Sequence, residues 1–113
     1  MVEPHQVLPE RDPVLRQIVE RLVDTLHPAR IYLFGSQARG DSGPDSDYDV
    51  MVLVENRDEP RYRLSQIGYR GLRGLGVAVD VVVWDRATFD ARLHLRASFA
   101  ATVVREGKLL YAA

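Results

Sequence analysis

The sequence predicts an α/β (α+β) domain: a small mixed β-sheet of about three main strands covered by helices. Three observations carry that expectation. Three apolar runs, Ile31–Phe34, Val50–Val54 and Val77–Trp84, are short enough for strands and bounded by turn residues or charges. Between and around them, apolar residues recur at helical spacing. The chain has 113 residues, of which 46% are hydrophobic, enough for one core and one domain.

Residues 1–13 hold Pro4, Pro9 and Pro13 among charges and predict a flexible N-terminal arm, with a single domain over residues 14–113. Asp12-Pro13 reads as an N-cap followed by proline at the first helical position. Val14, Leu15, Ile18, Leu22, Val23 and Leu26 then form one stripe, ending near His27-Pro28. Arg30 to Phe34 is the first strand, and Ser36 to about Arg39 is at most a short helical turn. Asp41 to Ser46 is turn chemistry throughout, so the second strand starts close to where the first ends and runs antiparallel to it.

A charged loop from Glu55 to Pro60 leads into a helix from about Arg61 to Leu75. Its inner stripe is Leu64, Ile67, Gly68, Gly71, Leu72 and Leu75; Tyr62, Tyr69 and four arginines fall on other faces, as a solvated surface. The third strand follows this helical crossover and should therefore lie parallel to the second. Residues 85–104 read as helical, as one helix or two. Gly107 to Tyr111 reads as a helix stop and a short extended end, with Tyr111 packed on the core or against a partner.

Composition narrows the function classes. Fifteen basic against sixteen acidic residues leave a net charge of −1, so no global field draws the chain to nucleic acid, and direct nucleic-acid binding is not expected. Without cysteine, disulfides and Cys-ligated metal sites are ruled out, and the three histidines have no ligand spacing. No leader-like or membrane-spanning stretch is apparent, which makes the cytoplasm the expected location.

The chemistry gathers in residues 35–50. Asp47 and Asp49 alternate on a strand, so both side chains point to one face with Cα atoms about 6.5 Å apart. Two carboxylates that close repel each other unless a cation lies between them, and Mg²⁺ takes carboxylate oxygens while keeping positions for water and phosphate. Gly35-Ser36 suits the other half of such a site, since a glycine lets backbone amides approach a phosphate. Asp80 interrupts an otherwise apolar strand, which is costly unless it is paired, hydrogen-bonded or metal-bound. Parallel pairing would bring it to the same end as Asp47 and Asp49.

Gly35-Ser36, Ala38-Arg39-Gly40 and Ser46-Asp47-x-Asp49 before an apolar strand resemble the signature of the DNA polymerase beta-like nucleotidyltransferase superfamily. The short length is similar to that of the minimal nucleotidyltransferases that serve as antitoxins of HEPN-domain toxins. The resemblance implies the αβαβαβα nucleotidyltransferase fold, with Asp47, Asp49 and Asp80 as catalytic ligands of two Mg²⁺ ions. It also implies nucleotide contacts from Gly35, Ser36, Arg39 and Ser46, and ATP as substrate. The acceptor would be carried by another chain, a tyrosine of a HEPN toxin that receives AMP and is neutralised. Two other readings stay open: a binding-only antitoxin that masks a ribonuclease, and transfer to a small molecule such as an antibiotic. Homo- or hetero-oligomers are compatible with all three.

Overall fold

This computed structural model describes residues 5–6, 12–41, 43 and 47–113. Most of the expected arm over residues 1–13 lies outside them. In chain order the elements are β1 (His5–Gln6), α1 (Pro13–Leu26), β2 (Arg30–Phe34), α2 (Gly35–Arg39), β3 (Tyr48–Val54), α3 (Arg61–Gly71), β4 (Val79–Asp85), α4 (Arg86–Ala91), α5 (Phe99–Glu106) and β5 (Lys108–Ala112). The sheet order is β1-β5-β2-β3-β4. β2 and β3 are antiparallel, with Phe34 opposite Asp49. β3 and β4 are parallel, with Asp49 beside Asp80.

α1, α4 and α5 start where a short polar side chain satisfies a first amide, α3 starts after Pro60, and α2 starts directly from the end of β2 without a side-chain cap. Asp12 caps α1 by accepting from the Leu15 N–H at 3.0 Å, with Pro13 in the first turn. His27, at φ 47°, closes the same helix in the left-handed conformation. Asp85 caps α4 and Ser98 caps α5, so the expected helical stretch 85–104 is two helices joined by turns. α3 stops at Gly71 rather than Leu75; residues 72–75 continue as turns, and Gly74 and Gly76 at positive φ take the chain out of the helical path.

Two apolar layers cover the sheet. Val50, Val52 and Val54 point into one, with Leu15, Ile18 and Leu22 of α1 and Leu64 of α3. Met51 and Leu53 point into the other, with Tyr32, Phe89, Ala100 and Val103. This is the period-two alternation of a strand buried on both faces. β5, which the sequence marks only as an extended end, is a full strand. It pairs antiparallel with β2 and buries Leu110 and Tyr111 in the core. Among the described residues, no helix is long and apolar enough to cross a membrane.

Candidate functional site

The site forms where β2 ends and where β3 and β4 begin. By strand alternation Asp49 shares the face of Phe34, Met51 and Leu53 rather than that of Val50. Register then sets Asp80 next to it on the neighbouring strand, about 4.8 Å away in the hydrogen-bonding direction. Asp47, exposed, lies two residues before Asp49. The three carboxylates expected to act together are therefore brought to one corner of the sheet.

Gly35 is fitted to this corner twice over. Its φ of +73° is a conformation that side chains rarely tolerate, and a Cβ there would stand 2.3 Å from Asp49 Oδ2. The backbone of α2 thus rests directly against the Asp49 carboxylate. Ser36 follows in the same short helix, and its carbonyl accepts from the Gly40 and Asp41 amides at 3.0 and 3.2 Å. Arg39 closes α2 and pairs with Asp41 at 3.2 Å, both side chains being largely exposed. Ser46 lies outside the described residues.

Electrostatics single out Asp49. Burial, followed by the charges of Asp80 and Asp47, raises its pKa above the ordinary carboxyl value, while Arg39 draws it down. The raised value reflects like charges crowded into a partly desolvated corner, the situation a cation relieves. Among the described residues, no three His, Cys, Asp or Glu side chains stand gathered as a ready ligand set. The donors themselves are carboxylate oxygens only, with no imidazole or thiolate beside them, and this chemistry suits a hard divalent ion.

Tyr69 also stands at this corner, where sequence pattern alone did not place it. Its hydroxyl lies 3.1 Å from Asp80 Oδ1 and accepts from the Val81 amide at 3.0 Å. Burial raises its pKa, the Val81 bond lowers it, and Asp80 raises it further, for a net upward shift. Helical spacing showed only that Tyr69 leaves the inner stripe of α3. It could not show that the outer side reaches round the edge of β4.

Paired carboxylates at strand starts, a glycine pressed on one of them and a third carboxylate on the parallel neighbour form a corner whose chemistry suits phosphoryl or nucleotidyl transfer. Comparison with known proteins makes the class specific. The nucleotidyltransferase domain family matches residues 14–108, and the chain belongs to that family. A Methanocaldococcus jannaschii protein, MJ0604, provisionally named a protein adenylyltransferase, is 30% identical over 82 residues, covering 73% of this chain and 77% of that protein. A provisionally named nucleotidyltransferase from Sulfolobus solfataricus is similar in structure, with a TM-score of 0.56 at 28% identity over 69% of each chain. A toxin–antitoxin structure with AMP-PNP gives 0.56 at 28% identity, covering 87% of this chain and 73% of that one. A mutant MntA-HpeT toxin–antitoxin complex gives 0.56 at 28% identity over 88% and 72%.

Proposed function

We propose that this nucleotidyltransferase is a cytoplasmic antitoxin that moves AMP from ATP to a tyrosine hydroxyl of a HEPN toxin and so neutralises it. The observation that carries the reading is the register that sets Asp80 beside Asp49, with Asp47 two residues away and Gly35 pressed against Asp49. The kinship with a protein adenylyltransferase and with toxin–antitoxin structures, one of them with AMP-PNP, supports the nucleotide and the class of partner.

Asp47, Asp49 and Asp80 would hold two Mg²⁺ ions. Bound there, the metal supplies charge neutralisation at the α-phosphate and stabilises attacking and leaving oxygens. The chain's own residues do the rest. Gly35, without a Cβ, and Ser36 grip the triphosphate, Arg39 adds a cation at the end of α2, and Ser46, outside the described residues, stays a nucleotide contact that the family resemblance alone implies. Asp80, exposed on the outer strand, receives the acceptor's hydroxyl proton. The acceptor oxygen forms its bond to the α-phosphorus as the α–β anhydride breaks, and pyrophosphate leaves.

The test is intact-mass spectrometry of the toxin encoded beside this chain, incubated with it, ATP and Mg²⁺, next to the Asp47→Ala/Asp49→Ala double variant. The expected result is a gain of one or more AMP units on the toxin, absent with the variant, while both proteins form the same complex. A stable complex that neutralises the toxin with no change of mass would replace this reading by masking alone.

A further inference from the structure

We propose that Tyr69 is a positioning residue for Asp80: its hydroxyl, anchored on the outer amide of β4, holds one carboxylate oxygen and leaves the other to serve the reaction. The inference rests on the reading of Asp80 as a member of the metal-binding triad.

The geometry fixes the direction of both bonds. The Val81 N–H can only donate, so the Tyr69 oxygen accepts there at 3.0 Å. Its own proton is then free for Asp80 Oδ1 at 3.1 Å, and an ionised carboxylate can only accept. The phenol is thus a relay between a fixed backbone amide and a side chain that would otherwise rotate. β4 is the outermost strand on its side of the sheet among the described residues, so the Val81 N–H has no strand to bond. Tyr69 satisfies it.

Reaching this place requires an unusual path. Tyr69 belongs to α3, whose inner residues Leu64 and Ile67 pack in the layer with Val50 and Val52, whereas Asp80 shares a face with Asp49 on the opposite side. The tyrosine spans from one layer round the sheet's edge to the other. Gly68, one position earlier, makes the approach close enough: a Cβ there would already lie 3.3 Å from Leu22 and Leu26 and 3.5 Å from Val81. A smaller side chain at 69 would not reach, and phenylalanine would reach without either hydrogen bond. Groups that orient a metal-binding carboxylate in this way commonly govern metal affinity as strongly as activity.

The experiment compares wild type, Tyr69→Phe and Tyr62→Phe, the last removing the other exposed hydroxyl of α3. Mn²⁺ affinity is read by electron paramagnetic resonance in the presence of ATP, and Val81 amide exchange by NMR without metal. Tyr69→Phe should weaken Mn²⁺ binding about tenfold or more. It should also speed Val81 exchange, and Tyr62→Phe should do neither. Wild-type Mn²⁺ binding that Asp47→Ala/Asp49→Ala abolishes but Tyr69→Phe leaves within about twofold overturns the positioning role alone. Failure of the wild type to bind Mn²⁺ would sink the metal-site reading and this inference with it. AMP found on Tyr69 itself after incubation with ATP and Mg²⁺ would overturn positioning in favour of an acceptor role.

Discussion

Asp49 meets Gly35 on one side and the charges of Asp47 and Asp80 on the others. Its raised pKa means the folded chain prefers the neutral carboxyl more than the unfolded chain does. Stability linked to this group is therefore fully present below the unfolded carboxyl pKa of about 4 and declines as pH rises through the higher folded value. Asp49→Asn keeps the shape and removes the charge, so the metal-free variant should melt at a higher temperature than wild type at pH 7. The gain should shrink toward zero as the pH falls below about 4. Thermal melts at the two pH values, with divalent ions chelated, check this; a variant less stable at pH 7 would contradict it. The same substitution should abolish transfer, so stability and activity part at this residue. The placing of Asp49 and Asp80 on neighbouring strands was legible because a charge within an apolar strand is conspicuous, and Asp47 stood out by its spacing of two from Asp49. The tight fit of Gly35 to Asp49 was not legible, since it depends on where two strands end in space.

Elements were readable where one periodicity ran without interruption. α1 carries its cap, its proline and its stripe in sequence, and its observed end at Leu26 is the one its pattern predicts. The stretch after β4 carries two caps within one apolar pattern, and only three-dimensional packing divides it. Phe89 of α4 is fully buried against Tyr32 and Trp84, with ring centroids 5.7 and 6.2 Å away. Arg30 reaches across from β2 to Asp90 on the same helix at 2.5 Å and stacks over Phe89 at 5.9 Å. That ion pair spans residues sixty apart, which no local signal reveals. Phe89→Ala should cost about 3–5 kcal/mol in urea denaturation, because it empties the centre of this layer. A loss under about 1 kcal/mol would mean that the layer collapses to fill the space.

At the scale of the molecule, the sheet is finished by its last strand. β5 lies between β1 and β2, and Leu110 and Tyr111 insert into the core from it. The sequence marked this stretch only as extended because five residues after a glycine carry too little pattern to declare a partner strand. Deleting residues 108–113 should therefore remove cooperative unfolding altogether, visible as the loss of a sigmoidal thermal transition. A truncated chain that still melted sharply would show the remaining strands to be sufficient. The opposite border of the sheet has the contrary character. Among the described residues no further strand pairs with the outer edge of β4, where the Tyr69 hydroxyl meets the Val81 amide and Asp80. In the proposed reaction, the molecule that docks along this edge presents the acceptor. Substrate choice can then drift with the visitor while the chemistry stays inherited, so one small scaffold can be reassigned to new clients without being rebuilt.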